Sequence, residues 1–117
     1  MAHLLVTGGA GYIGSHTLRA LQRAGHGAVV FDDMRAGREE LLRGTRLVRG
    51  DVRDRAAVAR VFAEHGPFDG VLHFAGLLSV PESVAKPLLY YSNNVMGSQV
   101  LLQETLAARA RAFVLSS

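Results

Sequence analysis

The stretch Leu4-Leu5-Val6-Thr7-Gly8-Gly9-Ala10-Gly11-Tyr12-Ile13-Gly14-Ser15-His16 constrains this chain more than any other. An apolar run suited to a buried strand, residues 3–7, breaks into glycines at positions 8, 11 and 14, and a helical pattern over residues 12–24 begins at once. Gly8 permits a turn that a residue with a Cβ resists. Gly11 leaves room beside the backbone for a bound group, and Gly14 lets the new helix press on the strand. The first N–H groups of a helix have no partner within it, and the helix dipole adds partial positive charge there, so the arrangement suits a pyrophosphate. Ile13, Leu18, Leu21 and Ala24 lie on or near one face of the predicted helix, and Gly25 supplies a left-handed stop.

A second signal follows at the expected distance. Ala28-Val29-Val30-Phe31 reads as a short apolar strand, and Asp32 closes it 18 positions after Gly14. A dinucleotide-binding turn calls for an acid about 20 residues on, which accepts hydrogen bonds from the adenosine ribose. A carboxylate there repels a 2′-phosphate and so favours NAD over NADP, and Asp33 adds to the repulsion. Arg35 and Arg38 have the guanidinium forks to hold a 2′-phosphate, but they read more simply as solvated loop charges.

The rest of the chain alternates strand and helix. Residues 37–43 suit a short helix and residues 46–49 a third strand. Asp54 is placed to cap a helix over 55–65, whose apolar face is Ala57, Val58, Val61 and Phe62 and whose stop is Gly66-Pro67. Residues 70–74 form a fourth strand, a helix follows over 88–110, and residues 112–115 form a fifth strand. Apolar strands joined by helices imply a parallel sheet covered on both faces. Right-handed crossovers then give the α/β, Rossmann-type, doubly wound order 3-2-1-4-5, with the ligand beyond the carboxyl ends of the first and fourth strands.

Bulk properties narrow the class. Of 117 residues, 49% are hydrophobic and 20% charged, which fits a globular domain with a true core. No apolar run reaches the ~20 residues of a membrane helix, and no signal peptide is evident. The absence of cysteine excludes disulfides and thiolate metal sites and fits a cytoplasmic chain. The net charge of +3 comes from scattered arginines without interleaved aromatic residues, so a solvated surface explains it better than nucleic-acid binding. The five histidines show neither metal spacing nor a nucleophile partner, and His73, in a central strand, suits a core hydrogen bond.

Three of these motifs resemble the extended short-chain dehydrogenase/reductases: the 7–16 glycine segment, Gly50-Asp51-Val52-Arg53-Asp54, and His73-Phe74-Ala75-Gly76. The run Glu82-Ser83-Val84-Ala85-Lys86-Pro87-Leu88-Leu89-Tyr90-Tyr91-Ser92-Asn93-Asn94-Val95 is similar to the UDP-glucose 4-epimerase family in particular. The resemblance spans the whole chain and implies NAD as cofactor. By position it puts Gly8, Gly11, Tyr12, Ile13 and Gly14 along the pyrophosphate, and Asp32 at the adenosine ribose with Asp33 beside it. Asp51 and Val52 would flank the adenine, the carboxylate accepting from its amino group. Phe74, Ala75, Gly76 and Leu78 would run along the pyrophosphate and the nicotinamide ribose. Asn93 would bond near the cofactor or hold a neighbouring strand, the other reading being an asparagine satisfied inside the core. Three positions depart from the pattern: Asp33 where many members have asparagine, Leu78 where some have lysine, and Pro81 in place of a common glycine.

The activity the resemblance implies is interconversion of UDP-glucose and UDP-galactose through a 4-keto sugar, by hydride transfer to and from NAD. The family's base comes from a Tyr-x-x-x-Lys motif beyond the serine pair matched here by Ser116-Ser117. Tyr12, Tyr90 and Tyr91 are the only tyrosines, and none has lysine four residues later. Residues 1–117 are therefore expected to form an incomplete NAD-binding domain, without the catalytic segment or the sugar-nucleotide domain, and to be inactive alone. No catalytic or metal-binding residue is expected among them. The partners implied are a nucleotide-sugar substrate in the longer parent and a second copy of the chain, paired through the 88–110 helix. Another nucleotide-sugar epimerase or 4,6-dehydratase, or a non-catalytic NAD-binding module, fits the same residues.

Overall fold

Leu5 and Val6 are neighbours in one strand, face opposite ways, and are both fully buried. That pair explains the architecture, because a strand buried on both faces needs a helical layer on each side. The computed structural model describes residues 1–35, 38–74, 85, 86, 88 and 91–115. In chain order these form β1 (His3–Thr7), α1 (Tyr12–Arg23), β2 (Gly27–Asp32), a 3-10 turn (Glu39–Leu42), β3 (Arg46–Arg49), α2 (Arg55–His65) and β4 (Gly70–His73). A π-helical stretch (Tyr91–Met96), α3 (Gly97–Ala107) and β5 (Ala112–Leu115) complete the described chain.

The sheet is wholly parallel with the order β3-β2-β1-β4-β5, as the alternating pattern requires. In the central register Val6 stands between Val30 and Leu72. Leu5, Val29, Phe31 and Val71 pack with Val58 and Val61 of α2 and Leu101 of α3 on one face. Val6, Val30 and Leu42 pack with Leu18 of α1 on the other. Residues of each strand thus alternate between two cores.

Most element boundaries follow the sequence signals. Gly25 has φ 81° and closes α1, and the Asp54 carboxylate caps α2 by accepting from the Ala57 N–H at 3.2 Å. Three expectations need correction. The helix expected over 37–43 is only the 3-10 turn Glu39–Leu42, because Arg43 and Gly44 turn left-handed immediately after it; Gly37 lies outside the described residues. β4 ends at His73, although Phe74 still donates its N–H to the Thr7 carbonyl at 2.8 Å. The helix expected over 88–110 is not one uniform α-helix. A π-helical stretch leads into α3, which ends at Ala107; Arg109 takes φ 59°, and the Ala110 N–H bonds back to the Thr105 carbonyl. An arginine performs this left-handed stop, so no glycine announces it in the sequence.

Candidate functional site

The winding reverses between β1 and β4. The connection from β1 enters α1 on one face of the sheet, whereas α3 and α2 cover the other. Parallel sheets wound in this way take ligands beyond the carboxyl ends of the strands where the winding reverses.

The glycine turn forms the first wall. Gly8 adopts φ 72°, donates its N–H to the Phe31 carbonyl at 3.0 Å and accepts from the Gly11 N–H at 3.1 Å. A Cβ on Gly14 would lie 2.2 Å from the Gly8 carbonyl oxygen and 2.8 Å from the Gly9 Cα, so the helix can press this close only with hydrogen there. Among the described residues a Cβ on Gly11 would meet only that same oxygen, at 3.4 Å. The sequence reading missed Gly9, whose Cβ would fall 2.7 Å from the Val30 side chain. No side chain caps α1, and its first turn carries no acid. The N–H groups at this end of the helix therefore have no side-chain acceptor from its own first turn. Tyr12 and Ile13 stand at that end, 78% and 50% exposed. With His16, Thr17 and Ala20 they also line a shallow hollow of about 420 Å³ along α1.

Asp32 joins this wall to the next strand. It is buried, yet its carboxylate accepts from the Ala10 N–H at 3.2 Å and from the Met34 N–H at 2.8 Å. The first bond fastens the acid to the glycine turn; the second holds Met34 at φ 62°. The Arg38 N–H returns to the Ala10 carbonyl at 3.1 Å. Asp33 turns outward and accepts from the Arg35 N–H at 2.9 Å.

The end of β3 lies alongside. Gly50 donates its N–H to the Asp32 carbonyl at 3.2 Å and carries the chain into Asp51 and Val52. Asp51 accepts from Arg53 through both the main chain and the guanidinium. That pairing holds its carboxyl below the usual carboxylate range, against an opposing effect of burial. Val52 is buried against the first residue of α3, where a Cβ on Gly97 would be 2.5 Å from its side chain.

His73 lies at the end of β4 and, as expected, serves the core. Ser98 donates its hydroxyl to the Asn94 carbonyl at 2.6 Å, so at 2.9 Å it accepts from His73 Nε2. Nε2 therefore carries the proton, and Nδ1 accepts from the Thr7 hydroxyl at 2.5 Å. Burial pushes the imidazole pKa down to about 4. Thr7 and Ser98, both missed in the sequence, tie β1, β4 and α3 together through this ring.

The structure thus gathers Gly8, Gly11, Tyr12, Ile13, Gly14, Asp32, Asp33, Asp51, Val52 and Phe74 at the carboxyl side of the sheet. Ala75, Gly76, Leu78, the Asn93 side chain and Ser116-Ser117 lie outside the described residues, although the Asn93 backbone belongs to the π-helical stretch. Among the described residues no helix is long and apolar enough to cross a membrane.

Comparison with known proteins gives concordant matches. The model of the NAD dependent epimerase/dehydratase family matches residues 4–117. The UDP-glucose 4-epimerase of Rhizobium meliloti (strain 1021) is 47% identical over 115 residues, which are 98% of this chain and 35% of that protein. Its counterpart in Azospirillum brasilense is 50% identical over 115 residues, 97% of this chain and 33% of that one. Among solved structures, UDP-glucose-4-epimerase from Stenotrophomonas maltophila, with bound NAD and formylated UDP-arabinopyranose, superposes with a TM-score of 0.91 at 42% identity, covering 100% of this chain and 37% of that chain. The enzyme from Thermotoga maritima with UDP-glucose gives a TM-score of 0.93 at 36% identity, covering 98% and 37%. The chain thus spans about a third of the length of the relatives it matches.

Proposed function

The chain belongs to the NAD dependent epimerase/dehydratase family, and from that membership we propose that it forms the NAD-binding part of a UDP-glucose 4-epimerase. The observation that carries this reading is the bond from the Ala10 N–H to the buried Asp32 carboxylate. It fastens Asp32 to the glycine turn, which supports reading the acid as the partner of a ribose and the turn as the seat of a pyrophosphate. The bare Cα of Gly11 and the uncapped, acid-free start of α1 fit an anionic group.

The N–H groups of Tyr12, Ile13 and Gly14 would hold the pyrophosphate, with Gly8 shaping the turn and Gly11, whose own N–H is bonded to the Gly8 carbonyl, lining the pyrophosphate by its bare Cα. Asp32 would accept from the adenosine ribose, with Asp33 beside it. Asp51 and Val52 would border the adenine, Asp51 accepting from its amino group. Phe74, Ala75, Gly76 and Leu78 would follow the nicotinamide side, with Asn93 near them. When bound, NAD supplies an acceptor and donor of hydride. The residues of this chain would bind and orient it; among the described residues none is placed as the base for a sugar hydroxyl. His73 has both ring nitrogens committed within the core, and no tyrosine has lysine four residues on. The parent reaction is interconversion of UDP-glucose and UDP-galactose, and the 117 residues by themselves are expected to bind NAD without turning over either sugar. The same reading puts the protein in the cytoplasm and pairs it with a second copy through residues 88–110. Of the residues expected from the sequence to supply that surface, Met96 is half exposed, but Leu101 is fully buried in the core and Val100 packs against it. Val95, Leu102 and Leu106 are also exposed there.

The test is titration of nucleotide-free protein with NAD, alongside Asp32→Ala. Saturable binding, weakened at least about tenfold by the substitution, supports the proposal. Failure of the unsubstituted protein to bind NAD overturns it, and release of UDP-glucose from UDP-galactose by the 117 residues alone overturns the expected inactivity.

A further inference from the structure

We propose that Arg53 is a positioning residue for base recognition: its guanidinium fork fixes the Asp51 carboxylate so that one oxygen edge is presented to the 6-amino group of the adenine. This rests on the adenine placement given above and adds a residue to it.

The geometry is local and nearly complete. The Arg53 N–H binds Asp51 Oδ1 at 2.8 Å, Nε reaches Oδ1 at 3.0 Å and Oδ2 at 3.1 Å, and Nη2 reaches Oδ2 at 2.6 Å. The Asp51 carbonyl accepts from the Asp54 N–H at 2.9 Å, and Asp54 caps α2, so the turn is anchored to a helix. A carboxylate has about four acceptor positions. The main-chain N–H goes to Oδ1, Nη2 to Oδ2, and Nε is divided between the two, so three donor groups leave about one acceptor position on the carboxylate. An isolated exposed ion pair of this kind adds little stability, and both side chains are about one-third exposed. What the fork does supply is orientation, because a planar bidentate clamp fixes the carboxylate plane as well as its charge. Gly50 holds this turn against the end of β2 through the Asp32 carbonyl, so the oriented edge belongs to the same end of the sheet as the ribose acid. The charge of Arg35 favours the ionised Asp51, and that of Asp33 the ionised Arg53, in support of the pair.

The experiment compares the affinity of nucleotide-free protein for NAD and for nicotinamide hypoxanthine dinucleotide, in which a carbonyl oxygen replaces the 6-amino group. The unsubstituted protein is expected to prefer NAD at least about tenfold, the range of a hydrogen bond to a charged acceptor. Arg53→Ala should lower the preference to within about threefold, chiefly by weakening NAD. Arg53→Gln, which keeps most of the stem, should do the same, and Arg53→Lys should restore part of it. Equal weakening of both dinucleotides, or an unchanged preference, overturns the role of Arg53 and leaves the adenine placement standing. An unsubstituted protein that binds both equally, or neither, overturns the placement and this inference with it.

Discussion

At residue scale, Gly14 and Gly11 carry the same side-chain hydrogen for different reasons, and substitution separates them. Gly14→Ala drives a methyl into the Gly8 carbonyl. It should cost about 1–3 kcal/mol of stability, seen as a lower denaturant midpoint, and weaken NAD as well. Gly11→Ala meets only a marginal contact and keeps a φ of −82° that alanine adopts readily. Its stability should stay within about 0.5 kcal/mol of the parent while NAD titration shows a weaker complex. Equal destabilisation by both would refute the distinction. Gly8, Gly14 and Asp32 were legible because each answers a steric or charge demand that spacing expresses, whereas the case for Gly11 rests on the proposed cofactor. Thr7 and Ser98 were not, since their partner is a ring on a strand 66 positions from one and 25 from the other. Arg53 had a readable signal, an arginine two residues after an aspartate in a turn, but the fork itself needs coordinates.

At the scale of elements, the His73 string governs how the sheet holds α3, and its protonation has a definite sign. The native imidazole has a pKa of about 4, against about 6.5 when unfolded. Between those values the unfolded chain binds more protons, so stability falls as pH drops from about 6.5 to about 4 and changes little from this source below that. The loss should total about 3 kcal/mol in a pH series of unfolding curves, and His73→Gln should flatten the series in that window. Asp51, whose carboxyl is held low, acts at more acid pH: its contribution is present above the ordinary carboxylate pKa and lost as pH falls through the native one. A separate test concerns α2. Asp54→Ala removes the acceptor for the Ala57 N–H and should cost about 0.5–2 kcal/mol in thermal unfolding. The start of α2 was plain in the sequence for that reason. The end of α3 was not, because its left-handed residue is Arg109 within an unpunctuated Ala-Ala-Arg-Ala-Arg run.

Across the whole molecule, strand order and the two apolar layers follow from alternation alone, and the β1–β4 reversal follows from the order. Surface cover is less even. β5 pairs with β4 on one side, and Val114 and Leu115 are 50% and 57% exposed. Such an edge is a template for other chains. The 117-residue chain alone should therefore self-associate with rising concentration in sedimentation experiments, and Val114→Lys should reduce that association. An unsubstituted 117-residue chain that stays monomeric throughout would refute this prediction.

The bracket around Ala10 has a kinetic consequence. Asp32 takes its N–H and Arg38 its carbonyl, so this peptide unit is already moored on both sides and has little conformational freedom left to lose. A dinucleotide arriving here meets a mould, not a hinge. Capture then waits on encounter and orientation alone, and variants around the bracket should differ in how long they keep their guest more than in how fast they admit it.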